Sequence, residues 1–307
     1  MKRKQLINGF LILSMVAGFL YIQIYSHGPS QPKTDTNDVN QITRSNTTST
    51  RLTNNNKIYY KNKAVVLLYH DIDKRECGVA INKARFVSHM NMLQREGFNI
   101  VSLDDIISFI KKKKPLPPNA VAITFDDGCA SNCTIAHKIL KSNGWPYTVF
   151  VTVSEIGKTR PTGSLRLSEA QLKQMRKDGV TLGGHTFNGH FYISDYSGQR
   201  LPWLTGRRTG ESISQYNTRV FQDLYKSRLA LNKIAGTSTR HFAPPYGIYN
   251  SSVVVQAQKA GFNYIWSTQR IPVEADSSLT NLGRVSVGRK GTTARSLKRI
   301  ILLTAYK

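Results

Sequence analysis

Two adjacent carboxylates, Asp126 and Asp127, close the apolar run Ala122-Ile-Thr-Phe125 and are followed at once by Gly128. In an extended segment successive side chains leave the backbone in opposite directions, and the glycine permits a sharp turn. Two like charges this close are costly unless a cation sits with them or one carboxyl takes a proton. A metal ion meets that demand with one Asp as ligand and leaves the other free to move a proton. An Asp-Asp-Gly turn without chemistry is the competing reading. Downstream, Gly183-Gly-His-Thr-Phe-Asn-Gly-His190 supplies two imidazoles five residues apart on a glycine-containing turn. Asp127, His185 and His190 make a two-histidine, one-carboxylate set suited to zinc or a similar divalent ion, with a position left for water. A lone histidine is usually structural. Two in a glycine-rich loop, with an Asp pair elsewhere, point to a metal.

The elements that must bring these residues together follow one pattern from Lys63 onward: a short apolar run, an amphipathic segment, a glycine, another apolar run. Residues 64–69, 98–101, 121–125, 147–153, 180–182, 240–243 and 262–266 read as strands. Helix faces are marked by Phe86, Met90 and Leu93, by Ile106, Ile107 and Phe109, by Ile135, Ile139 and Leu140, and by Tyr216, Val220, Leu224 and Leu231. A last helix covers about 293–303. The lysine run from Lys111 to Lys114 reads as a solvated helix end, where positive charge suits the dipole. Repeats of helix, glycine and strand imply parallel strands with helices outside. About seven strands predict an α/β fold built on a closed or distorted (β/α) barrel, with a doubly wound sheet as the alternative. His70, the Asp pair, His185 and Pro244-Pro245-Tyr246 each stand just past the end of a predicted strand. In a barrel those ends converge on the face where active sites are built.

The chain has 307 residues and a formal net charge of +25. That balance favours anionic partners: nucleic acid, a phospholipid surface or anionic envelope polymers. No nucleic-acid motif accompanies it and the basic residues are scattered, so nucleic acid is set aside. Lys2-Arg3-Lys4 precedes an almost uncharged apolar stretch reaching Tyr25. It is long enough to cross a bilayer, which takes roughly 17–25 residues. A positive flank on the inside puts the rest outside, and a cleaved signal peptide is the rival. Residues 1–25 are expected to be a signal anchor or signal peptide, 26–62 a disordered Asn/Thr/Ser-rich linker, and 63–307 the folded domain. The protein then sits on the extracytoplasmic face of the membrane, or is secreted and associated with the cell wall. Such a location permits disulfides, and Cys77 is expected to pair with Cys129 or Cys133.

These motifs resemble those of the polysaccharide deacetylases, the family sharing the NodB-homology domain. Thr124-Phe-Asp-Asp-Gly128, His185-Thr186 with His190, and Pro245-Tyr-Gly247 carry the resemblance, which covers roughly Lys63 to the C-terminus. Tyr69-His70 and Phe242-Ala-Pro-Pro-Tyr-Gly247 are most similar to the branch acting on poly-β-1,6-N-acetylglucosamine. The resemblance implies a NodB-like distorted barrel and metal-dependent removal of N-acetyl groups from an extracellular N-acetylglucosamine polymer. Asp127, His185 and His190 would hold the metal, Zn2+ ahead of Co2+ or Ni2+. Asp126 would be the general base, and the Tyr246 N–H, beside Pro245, would meet the oxyanion. Three departures stand out. The histidines are five apart where many members have four; Ala243 replaces the arginine that orients the base; and the C-terminal Leu-x-His that supplies an acid is missing. His70 is the candidate acid and Arg284 the candidate orienter. Trp203, in a stretch matching no motif, either stacks on sugar or packs. Peptidoglycan is the rival substrate. A non-catalytic glycan-binding protein on the same fold, or a basic membrane-to-wall linker, is the rival function.

Overall fold

A strand buried on both faces needs apolar residues at nearly every position. Ala64-Val-Val-Leu-Leu-Tyr69 and Ala120-Val-Ala-Ile-Thr-Phe125 meet that need. In the computed structural model, which describes residues 57–160 and 163–307, the two strands lie parallel, from Ala64 opposite Ala120 to Tyr69 opposite Phe125. The sheet continues through Thr148–Val151, Thr181–Gly184, His241–Phe242 and Tyr264–Ile265, all parallel.

The expected closed or distorted barrel of about seven parallel strands takes a distorted form: a curled, mixed sheet of nine strands among the described residues. The far edge of Lys63–Tyr69 is divided between two short partners. Val273–Glu274 pairs antiparallel at Lys63 and Ala64, and Val285–Ser286 pairs parallel at Leu67 and Leu68. Among the described residues no single strand runs along that edge. Contact with the other end of the sheet rests on a backbone bridge between Trp266 and Leu282.

Alternate strand residues enter different cores, as the two-residue repeat requires. Val65, Leu67 and Tyr69 pack with Phe86, Met90 and Leu93 of the helix Lys83–Arg95, and with Leu297 and Ile301 of the helix Ala294–Ala305. Ala64, Val66, Ala120, Ala122 and Ala243 face inward with Phe150, Trp266 and the helix Leu103–Ile110. So many alanines inside leave room for large buried groups, including Phe150, Trp266 and the whole of Arg284. Ser102, Ser168 and Ser212 close capping boxes at three helix starts, each satisfying N–H groups that the helix itself cannot.

Several expectations change. The stretch around Tyr192–Gly210 contains an antiparallel hairpin, Tyr192–Ser194 with Arg200–Pro202. Trp203 is buried with the Arg219 guanidinium 4.4 Å from its ring, so it packs. Tyr60, placed in the linker from sequence, is buried and its hydroxyl donates to Ala120 O at 2.9 Å. The folded part therefore begins before Lys63. All three cysteines are free, so the expected Cys77 disulfide is not formed. Cys129 faces the interior, its Sγ 2.7 Å from Arg166 Nη1, while Cys77 is exposed. The anchor segment 1–25 and linker residues 26–56 lie outside the described residues. Among the described residues no helix is long and apolar enough to cross a membrane.

The paired glycines before His185 are required by packing. A Cβ at Gly184 would stand 2.5 Å from Phe262 Cζ, and one at Gly183 2.5 Å from Phe150 Cδ1. Both rings are fully buried in a dense interior and have little room to retreat. Gly184→Ala is expected to lower the unfolding free energy by about 1–3 kcal/mol through overpacking. Urea unfolding measures this, and an unchanged midpoint would show that the ring yields.

Candidate active site

The C-terminal ends of successive strands deliver the polar residues. His70 follows Lys63–Tyr69, Asp126 and Asp127 follow Ala120–Phe125, His185 follows Thr181–Gly184, and the Pro245–Gly247 turn follows His241–Phe242. His70, Asp126, Asp127, His185, His190 and Tyr246 line one cleft of about 510 Å³. Three residues here hold positive φ without being glycine: Asp127 at 73°, Thr186 at 80° and Tyr246 at 62°. Such conformations cost about 1–3 kcal/mol each and persist only where the surroundings impose them.

The surroundings of Thr186 are explicit. Its carbonyl accepts the Val153 N–H at 3.1 Å, and its hydroxyl accepts the Gly189 N–H at 3.1 Å. Asp223 reaches over from the helix Ile213–Ala235 and accepts the N–H groups of Phe187 at 2.9 Å and Asn188 at 2.8 Å. The loop between the two histidines is thereby pinned at four points.

Asp127 Oδ1 lies 3.5 Å from His185 Nε2 and 3.2 Å from His190 Nε2. His185 Nδ1 is 2.7 Å from Ala243 O. A carbonyl only accepts, so Nδ1 carries the proton and Nε2 turns a lone pair inward. His190 Nδ1 meets the Tyr246 hydroxyl at 3.3 Å. Asp127 Oδ1 is buried and, among the described residues, has no hydrogen-bond partner. One ligand atom from each of the three residues lies within 4.8 Å of the others. This buried, electron-rich set fits a divalent cation of the zinc type.

Asp126 turns the other way and forms a bidentate pair with Arg284, Nη1 to Oδ1 at 2.6 Å and Nη2 to Oδ2 at 2.9 Å. Arg284 is wholly buried, donates from Nε to Ser267 O at 3.2 Å, and lies 5.0 Å from the Phe150 ring centre. Burial raises the Asp126 carboxyl; Arg284, with His185, brings it below its usual value. Arg284, just before the strand Val285–Ser286, thus pairs with Asp126 although no arginine stands at Ala243, and Ala243 offers its carbonyl to His185. His70 lines the same cleft, with Nδ1 buried and, among the described residues, unpartnered. Burial lowers its pKa against the attraction of both aspartates. Pro245 is buried, and Tyr246 stands half-exposed with its ring 4.8 Å from His190.

Two participants have no motif. Arg166 is buried, with Nη2 3.4 Å from Asp127 Oδ2 and Nη1 on Cys129. Asp223 is the other, and it left a trace in the sequence. It lies three residues after Val220 and beside Leu224, a charge on the buried stripe of an amphipathic helix.

Residues 113–265 match the family model described as polysaccharide deacetylase. The chain carries a polysaccharide deacetylase domain. The matched span includes Asp126, Asp127, His185, His190 and Tyr246, and leaves His70 and Arg284 outside. The deacetylase is 26% identical over 245 residues to the poly-beta-1,6-N-acetyl-D-glucosamine N-deacetylase of Staphylococcus epidermidis, covering 75% of this chain and 80% of that one. It is 24% identical over 262 residues to the Escherichia coli (strain K12) protein of the same name, covering 78% of this chain and 39% of the relative. Its fold is similar to that of the de-N-acetylase from Aggregatibacter actinomycetemcomitans, with a TM-score of 0.70 and 24% identity over 78% of this chain and 99% of that one.

The Asp126–Arg284 pair yields a stability test. Removing one partner of a buried pair strands the other charge, at about 3–5 kcal/mol. Arg284→Met is expected to lose stability on that scale, and Asp126→Asn with Arg284→Met to recover part of it. Chemical denaturation of the two variants checks this; equal losses in both would mean that the carboxylate is not what Arg284 serves.

Proposed function

We propose that this polysaccharide deacetylase is a metal-dependent N-deacetylase of an extracellular N-acetylglucosamine polymer of the poly-β-1,6 type. One observation carries the reading: a His185–His190–Asp127 ligand set with a second, differently paired carboxylate, Asp126, beside it. Two relatives named for this activity support the substrate class. The apolar segment behind Lys2-Arg3-Lys4 supports a place outside the membrane.

A divalent ion held by Asp127, His185 and His190 would make a bound water acidic and polarise an amide carbonyl. The protein's own groups do the rest. Asp126, kept ionised by Arg284, takes a proton from the attacking water. As the acetamide carbon becomes tetrahedral, the Tyr246 N–H donates to its oxyanion. The proton that Asp126 has taken is then passed by His70 to the sugar nitrogen as the C–N bond breaks. Acetate departs and the polymer keeps a free amine.

The protein is expected to release acetate from β-1,6-linked N-acetylglucosamine oligomers, to stop on chelation, and to recover when Zn2+ is restored. Asp126→Asn should lower kcat by about 10²–10⁴-fold, the usual worth of a positioned acid–base group, with metal content unchanged. Acetate assays on a panel that includes peptidoglycan strands decide the substrate. No release from any amino sugar by metal-loaded protein would overturn the proposal, and so would an Asp126→Asn variant of undiminished activity.

A further inference from the structure

The hairpin that follows His190 is unused by the chemistry above, yet it adjoins the site. Tyr192 opens it, with its ring centre 4.4 Å from that of Tyr246, which is in turn 4.8 Å from His190. On the opposite strand Arg200 holds its guanidinium 5.2 Å from the Tyr192 ring centre. A second pair repeats the arrangement toward the tip: the Arg207 guanidinium lies 4.3 Å from the Tyr196 ring centre, and the Tyr196 N–H donates to Arg207 O at 2.8 Å. Tyr196 is 59% exposed and Tyr192 37%. Among the described residues neither guanidinium forms an ion pair, unlike that of Arg219 on the helix behind them, which is bound to Glu211.

Exposed aromatic rings with unpaired guanidiniums over them are costly to maintain for packing alone, because neither group is buried by the fold. Together they offer apolar faces and fixed N–H donors, the complement of a pyranose ring with its C–H face and its hydroxyl and acetamide oxygens. The arm is also preorganised. Asp195, buried where the first strand passes into the turn, accepts the N–H groups of Ser197 and Gln199, both at 2.9 Å, and the Ser197 hydroxyl at 2.7 Å. A ligand reaching it has little loop ordering left to offset.

We propose that this hairpin binds the sugar units flanking the one being deacetylated, Tyr192 with Arg200 taking the nearer unit and Tyr196 with Arg207 a farther one. The inference rests on the deacetylase reading for its ligand, a chain of N-acetylhexosamines, and on the continuity of rings from the cleft to the hairpin for its direction. The enzyme then works within a polymer and recognises short fragments poorly.

Calorimetric titration of the intact protein with β-1,6-linked N-acetylglucosamine dimer, trimer and hexamer, under chelation so that nothing is hydrolysed, tests this. Affinity is expected to rise with length. Tyr196→Ala with Arg207→Gln should weaken hexamer binding by about tenfold, or 1.4 kcal/mol, and leave the dimer little changed. Arg200→Gln should already weaken the trimer. Equal affinity of the wild type for dimer and hexamer would overturn the proposal. So would variants that lose dimer and hexamer in the same proportion, or losses that follow added salt and not chain length. Acetate release by the metal-loaded wild type is measured separately, so failure of the hairpin proposal and failure of the deacetylase reading stay distinct.

Discussion

Three electron-rich atoms directed at one point set the terms for this protein. Asp127 Oδ1, His185 Nε2 and His190 Nε2 crowd together in a site largely closed to water, where repulsion is poorly screened. Only positive charge between them makes the arrangement favourable. The surrounding structure holds it in place. Asp127 and Thr186 keep positive φ, Ala243 O fixes the His185 tautomer, and Asp223 fastens the loop between the histidines.

The adjacent carboxylates are separated by their environments. Positive φ at Asp127 breaks the extended run, so one side chain turns to the imidazoles and the other to Arg284. Arg166 takes the remaining oxygen of Asp127. Two neighbouring acids so divided can hold different roles, one as ligand and one as a proton acceptor. The arginine serving Asp126 is wholly buried, and the interior alanines of the strands make room for it. Sheet composition and site electrostatics are therefore one problem: a bulkier residue at Ala122 or Ala243 would compete for the volume that Arg284, Phe150 and Trp266 share.

Much of this was legible in the chain. Strand ends could be located from apolar runs and the glycines before them, which is why His70, the Asp pair, His185 and Tyr246 were placed on one face. Arg284 is legible only as a candidate orienter, because no motif marks it. Sheet closure was not legible, because it turns on two-residue strands at Val273–Glu274 and Val285–Ser286, too short for any periodicity. The hairpin after His190 was missed for a similar reason, since its three-residue strands carry no apolar run. The free state of Cys77 was not legible, because the four-residue spacing of Cys129 and Cys133 aims them poorly at each other but says nothing of where the Cys77 loop lies. Arg166 carried no local signal at all; its partner Cys129 is far along the chain.

The claim beneath the whole account is that Asp127, His185 and His190 share one metal ion. Anomalous scattering at the zinc edge from crystals of the zinc-loaded protein measures this directly. The account predicts a single strong peak at about 2.0–2.2 Å from one oxygen of Asp127 and from Nε2 of both histidines. A peak elsewhere with these three side chains unliganded, or no peak after loading, would contradict it.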